Sequence, residues 1–257
     1  MLPQSDPAPD VSVVIPAFNE AERIATTLAH VRRVLAAGPW SAEVVVVVDG
    51  ATDGTAEIVG GLAAAAGPVP VRLLTRPENR GKGCSVRRGM LEARGRVRLF
   101  SDADLSTPIE MAAPFVAAVA AGSDIVIASR RLEGSRLDRR QPWLREQLGR
   151  AFSAVVSRVL LPGTSDSQCG FKAFTAASTV AVFERQRIDG FCFDVEVLVI
   201  ARQLRLRILE HPVSWADDPR SRVRPLRDGL RMLGDVARIH LRRRRGEYAE
   251  MGPPSAT

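Results

Sequence analysis

Short apolar runs rich in β-branched residues alternate with stretches of helical periodicity through the first half of the chain. The runs VSVVI (11–15), EVVVVV (43–48), VRLL (71–74), VRLF (97–100) and DIVIA (124–128) lack strict alternation, as strands covered on both faces do. Between the first two, Ile24, Leu28, Val31 and Leu35 recur at i, i+4, i+7 and i+11 and predict a helix, with Asn19 placed to cap it. Further helices are expected over 54–66, 82–94 and 108–121, each ending at or near a glycine. This alternation specifies the α/β class: a mostly parallel, Rossmann-like sheet flanked by helices.

The second half is less regular. Leu144, Leu148, Phe152, Val155 and Val159 mark a helix from Trp143 to Leu160, broken by Pro162-Gly163. Short strands over 168–174 and 207–215 flank a helix at about 195–205. Leu226, Leu230, Leu233, Ala237 and Leu241 then form an apolar stripe on a helix whose other positions are largely arginine, a C-terminal amphipathic basic helix. The expected division is a flexible N-terminus (1–9), one domain (10–218) with halves meeting near residue 130, a basic segment (219–245) and a flexible tail (246–257).

Charge sharpens this picture. The chain of 257 residues has a net charge of +7, yet residues 220–245 alone hold ten arginines against Asp228 and Asp235. The excess positive charge therefore sits in one segment, where an anionic partner is expected. No aromatic stacking array accompanies it, which argues against nucleic acid. No apolar run reaches the roughly 18 residues that span a bilayer, and MLPQSDPAPD has no basic start or apolar signal core. The expected location is the cytoplasm, peripheral to a membrane surface. Cys84, Cys169 and Cys192 show no metal or disulfide spacing and are read as reduced.

Ligands of open parallel sheets sit beyond the carboxyl ends of the strands. Four consecutive strand ends carry polar chemistry here: Pro16-Ala17-Phe18-Asn19-Glu20, Asp49-Gly50, Asn79-Arg80-Gly81-Lys82-Gly83 and Asp102-Ala103-Asp104. Asp102 and Asp104 on one turn can direct two carboxylates at a magnesium or manganese ion, a hard cation that favours oxygen ligands. Gly81 and Lys82 pair open backbone with a cation, a combination suited to phosphate. Only Lys82 and Lys172 are lysines, against 34 arginines. Asp49 is placed to accept a hydrogen bond from a nucleotide base or ribose.

VSVVIPAFNE, VDGATDGT, ENRGKGCSVRRGM and DADLSTP, in this order and spacing, resemble glycosyltransferase family 2 enzymes of GT-A fold. DSQCGFKAF (166–174), FCFDVEVL (191–198) and HPVSW (211–215) narrow the resemblance to the dolichyl- or polyprenyl-phosphate sugar transferases, the glucosyl branch above all. The resemblance implies that residues 10–130 form a nucleotide-sugar half and 131–218 an acceptor half. It implies that Pro16, Ala17, Glu20 and Asp49 border the nucleoside, that Lys82 lies near it or its phosphates, that Asp102 contacts nucleotide or metal, and that Asp104 is a ligand of the metal. Ser106 stands where related mannosyltransferases carry a metal-binding glutamine, and the QxxRW signature of processive synthases is absent.

The expected activity is inverting transfer of a hexose, glucose from UDP-glucose first, from a nucleotide-diphosphate donor to polyprenyl or dolichyl phosphate. A lipid phosphate is ionised near neutral pH and needs no strong base, so positioning dominates. Arg130, Arg131 and Arg222 are candidates for holding it, with Arg131 the most surface-like. Asp194 and Glu196 face two roles, meeting sugar hydroxyls or, for Asp194, holding a cationic side chain in place. The basic helix is expected to rest on anionic lipid. Alternatives are GDP-mannose as donor, a glycan or other hydroxyl acceptor, and a non-enzymatic nucleotide-sugar-binding membrane scaffold.

Overall fold

The computed structural model describes residues 7–139, 142–218, 220 and 225–249. The strands are β1 (Val11–Ala17), β2 (Ala42–Asp49), β3 (Val71–Arg76), β4 (Val97–Ser101), β5 (Ile125–Ser129), β6 (Arg136–Arg139), β7 (Phe171–Thr175), β8 (Ile208–Pro212) and β9 (Ser214–Ala216). The helices are α1 (Ile24–Ala37), α2 (Thr55–Ala64), α3 (Lys82–Glu92), α4 (Ala112–Ala120), α5 (Trp143–Val159), α6 (Ala176–Phe183), α7 (Phe193–Gln203) and α8 (Pro225–Arg244). A seven-stranded sheet runs β3-β2-β1-β4-β7-β5-β8, and β6 pairs with β9 in a small second sheet.

All pairs in the large sheet are parallel except those of β7, which is antiparallel to both β4 and β5. Its register places Lys172 between Phe100 of β4 and Ile127 of β5. Both faces are covered, because successive side chains of a strand point to opposite sides. Val13, Ile15, Val44 and Val46 pack on one face with Leu28 and Val31 of α1 and Phe115 of α4. Val14, Val45 and Phe100 pack on the other with Met90 of α3 and Phe193, Val197 and Ile200 of α7.

The predicted strands and helices of the first half form close to where expected, with differences in caps, in the second half and at the C-terminal end. Asn19 does not cap α1: it takes a positive φ of 55° and its Oδ1 accepts the Thr52 N–H at 2.8 Å, while α1 begins after Arg23. The strand expected over 207–215 splits, because Val213 turns its side chain into the core and hands the chain from the large sheet to the small one. Residues 246–249 are not loose: Tyr248 is buried against α7. Finally, α8 carries two apolar faces. Val236 and Ile239 are buried inward, whereas Leu230, Leu233 and Leu241 of the predicted stripe face solvent. Among the described residues no helix is long and apolar enough to cross a membrane.

Candidate functional site

A cleft of about 650 Å³ opens at the carboxyl ends of β1, β2 and β4. It gathers Pro16, Ala17 and Glu20 after β1, Asp49 at the end of β2, Gly81 and Lys82 at the start of α3, and Asp102 and Asp104 after β4. Eight residues singled out in the sequence thus share one cavity. The wall facing them was not foreseen: Arg231, Met232 and Asp235 of α8 and Gly190-Phe191 before α7 complete it. The stripe of leucines in α8 drew attention to its outer face, and nothing in the periodicity distinguishes a cleft-facing arginine or aspartate from a solvated one.

The buried carboxylate of Asp49 organises the end of the cleft next to β2. Its Oδ2 accepts the backbone N–H groups of Arg80 (3.0 Å) and Gly81 (2.9 Å), tying the end of β2 to the loop before α3. Two glycines make that approach feasible. Gly50 has φ +63° and its missing side chain leaves room for the backbone of Asn79, while Gly81 has φ +110° and lies against the Asp189 carbonyl. The second oxygen, Oδ1, is buried without a hydrogen-bond partner among the described residues, and its nearest cation is Arg76 at 4.0 Å. A buried acceptor of this kind costs stability unless a ligand completes it.

At the other end Lys82 Nζ lies 2.6 Å from Asp102 Oδ1. Burial pulls the ammonium downward, but the carboxylates of Asp102, Asp194 and Asp104 outweigh it and hold the pKa above the usual lysine range. Asp104 moves the other way: burial, then the charge of Asp102, raises its carboxyl against the hydrogen bond that Oδ1 accepts from Ser106 N–H at 2.9 Å. Two crowded carboxylates under mutual repulsion are a fitting seat for a divalent cation, whose charge relieves that repulsion. Among the described residues no third acidic, histidine or cysteine side chain joins them. Gly170 is pressed against the Asp102 carboxylate so closely that a Cβ there would overlap it, a constraint carried by the QCGF segment that strand patterning does not reveal.

Asp194 and Glu196 lie on α7, buried and outside the lining of the cleft. Asp194 Oδ1 takes the fully buried Lys172 ammonium at 2.5 Å, so of the two roles considered its contacts match the holding of a cation. Burial raises the Asp194 carboxyl, partly offset by Lys172 and Lys82. Glu196 spends both oxygens within the protein, on the N–H groups of Arg187 and Ile188 and on the Tyr248 hydroxyl.

A second cavity of about 450 Å³ lies beyond β5, lined by Arg130, Arg131, Arg150, Gln168 and Trp215 among others. Arg130 is clamped by the buried Asp166 through two side-chain bonds, Nε to Oδ2 at 2.6 Å and Nη2 to Oδ1 at 2.9 Å, and stacks over Trp215. Burial by itself raises Asp166, yet the Arg130 charge and hydrogen bonds overcome it and hold the carboxyl at about 2. Arg131 is exposed, as expected of it, but is steered by Ser153 Oγ (2.9 Å) and the Ser165 carbonyl (3.2 Å). Arg222 falls outside the described residues.

The sheet order, the cleft at the strand ends and the acidic turn after β4 are those of a GT-A glycosyltransferase. Residues 12–182 match the model of the family described as Glycosyl transferase family 2, and the chain belongs to that family and is a hexosyltransferase. Within it, the chain is 35% identical over 251 residues to the dolichyl-phosphate beta-glucosyltransferase of Drosophila melanogaster, covering 93% of this chain and 77% of that one. The human dolichyl-phosphate beta-glucosyltransferase is 30% identical, with 92% and 76% covered. Among solved structures, mannosyl-3-phosphoglycerate synthase from Rubrobacter xylanophilus superposes with a TM-score of 0.67 at 20% identity, over 97% of this chain and 79% of that one. Glucosyl-3-phosphoglycerate synthase from Mycobacterium tuberculosis, crystallised with Mn2+, UDP-glucose and phosphoglyceric acid, does so with a TM-score of 0.62 at 20% identity, over 91% and 79%. At such identities these two speak for the fold alone.

Proposed function

We propose that the protein transfers glucose from UDP-glucose to a dolichyl or polyprenyl phosphate, inverting the anomeric centre, at the cytoplasmic face of a membrane. The observation that carries this reading is the pairing of two cavities. One holds a lysine and two crowded carboxylates together with an Asp49 oxygen that has no hydrogen-bond partner among the described residues; the other is lined by arginines. The names borne by the relatives give a glucosyl group as what is transferred and dolichyl phosphate as the acceptor.

In this reading Pro16, Ala17 and Glu20 border the nucleoside, and Asp49 Oδ1 accepts the N–H or hydroxyl hydrogen that completes it. Gly81 and Lys82 meet the diphosphate, Gly81 by leaving the approach unobstructed and Lys82 by its charge. Asp102 and Asp104 would hold Mg2+ or Mn2+, whose charge neutralises the leaving nucleotide diphosphate. Arg130 and Arg131 hold the acceptor phosphate, and Asp166 keeps the Arg130 fork in a single orientation. An ionised phosphate oxygen attacks without a base, so the work left to the protein is bringing two anions together across one carbon.

The outer stripe of α8 supports a peripheral membrane contact. Leu230 is 73% exposed, Leu233 and Leu241 are exposed, and arginines flank them. Trp143, also 73% exposed, with Val155 and Val159 on α5, which packs against α8, extends the apolar surface.

The test is incubation with radiolabelled UDP-glucose or GDP-mannose, polyprenyl phosphate and Mn2+ or Mg2+, followed by organic extraction. Glucose label in the lipid phase, abolished by a chelator, is the expected result. Label found only in water-soluble products overturns the acceptor, and label from GDP-mannose alone overturns the donor.

A further inference from the structure

We infer that Tyr248 and Glu196 form a positioning pair that sets the phosphate end of the donor cleft from the far end of the basic helix. Glu196 is fully buried on α7. Its Oε1 accepts the Tyr248 hydroxyl at 2.7 Å, and its Oε2 accepts the N–H groups of Arg187 (2.9 Å) and Ile188 (2.7 Å). Tyr248 is itself held at its backbone, where Arg185 Nε donates to its carbonyl at 2.9 Å. The carboxylate thus has one hand on the chain after α8 and the other on the backbone of 187–188.

That backbone is the floor of the loop before α3. Gln186 Nε2 donates to the carbonyls of Gly83 (2.9 Å) and Ile188 (2.8 Å), and the Asp189 carbonyl accepts the Cys84 N–H at 3.2 Å. The packing leaves no slack: a Cβ on Gly83 would meet the Ile188 carbonyl at 2.5 Å, and one on Gly81 would meet the Asp189 carbonyl at 2.5 Å. Where the 186–189 backbone sits therefore decides where Gly81 and Lys82 sit. A carboxylate accepting three hydrogen bonds in a dry interior has one well-defined position, and losing any donor leaves it under-solvated. The Tyr248 hydroxyl is the hydrogen-bond donor that comes from outside the α3–α7 region, with Arg242 of α8 beside the same oxygen at 3.6 Å, so the segment following α8 reaches residues 83–84 through three hydrogen-bonded links: Tyr248 to Glu196, Glu196 to the 187–188 backbone, and Gln186 or Asp189 to Gly83 and Cys84.

This inference rests on the reading of the cleft as the donor site, and the test separates the two. Tyr248→Phe and Glu196→Gln are made in the full chain. UDP affinity is measured by calorimetry with Mn2+, together with acceptor KM and hydrogen exchange at residues 81–85. The expectation is a UDP Kd raised about five- to tenfold, the size of a partly transmitted hydrogen bond to a charged group. Faster exchange at 81–85, an unchanged acceptor KM and a double variant little worse than either single one complete the pattern. Wild-type UDP affinity and wild-type exchange at 81–85 in Tyr248→Phe, with only the melting temperature lowered, would overturn the pair. If Tyr248→Phe does not fold, Gln186→Met, which cuts the link to Gly83 and leaves Tyr248 in place, must give the same signature or the inference fails. A wild-type chain that binds no UDP refutes the donor reading, while the exchange at 81–85 still decides the pair.

Discussion

Replacing Asp194 by asparagine separates a structural role from a catalytic one. In the native protein Lys172 has no solvent exposure, and its ammonium is met by Asp194 at 2.5 Å, by the Cys169 carbonyl at 2.7 Å and by the Phe100 ring at 5.3 Å. Only the first carries a compensating charge. Asp194→Asn preserves shape but leaves the cation uncompensated, and breaking a buried pair from one side costs about 3–5 kcal/mol. For a chain of this size that lowers the melting temperature by about 10 °C. Lys172→Met combined with Asp194→Leu removes both charges and recovers most of the loss, because a buried pair contributes little beyond what apolar packing supplies. Thermal unfolding followed by circular dichroism measures the first quantity, and initial rates per folded molecule at 15 °C measure the second. Turnover of Asp194→Asn is expected to stay within about threefold of wild type. An unchanged melting temperature with turnover reduced a hundredfold or more would refute the reasoning and place Asp194 on the substrate.

Two further outcomes follow from the same geometry. Gly170→Ala drives a methyl group into the Asp102 carboxylate, so turnover with saturating acceptor should fall by about a hundredfold, a displacement effect, while urea denaturation shifts only modestly. Asp166 is held at about 2, below its unfolded value near 3.9, so its contribution of about 2–3 kcal/mol is complete above pH 4 and is lost as pH falls toward 2. Asp166→Asn should therefore flatten the acid limb of a stability-against-pH curve; an unchanged limb would show that the Arg130 clamp does not set it.

How much of this was legible depended on how local each signal is. The strands β1 to β5 are dominated by β-branched and other apolar residues, with isolated polar positions such as Ser12, Glu43, Arg72 and Arg98, the composition that strands largely covered on both faces require. β6 escaped notice because Arg136–Arg139 is exposed throughout and carries no periodicity. α6 is short, and its two hydroxyl residues, Ser178 and Thr179, are buried, so it shows no polar stripe, although Thr175 accepting the Ser178 N–H was a readable start signal. The site reads well from strand ends because the topology alone brings those ends together. What the sequence withholds are the long-range contacts: Asp166 reaching Arg130 across 36 positions, and Tyr248 reaching Glu196 across 52, follow from no short-range pattern.

The reversed strand β7 has a consequence for the order in which the protein can be completed on the ribosome. It is inserted between β4 and β5, so β4 gains its second neighbour, and β5 its first, only with residues 171–175. Until then the nascent chain displays an unpaired edge on β4, and β5 has no sheet to join. Such bare edges invite pairing with other chains. The interval of synthesis between Ser129 and Thr175 is accordingly the period in which the growing polypeptide most needs shielding.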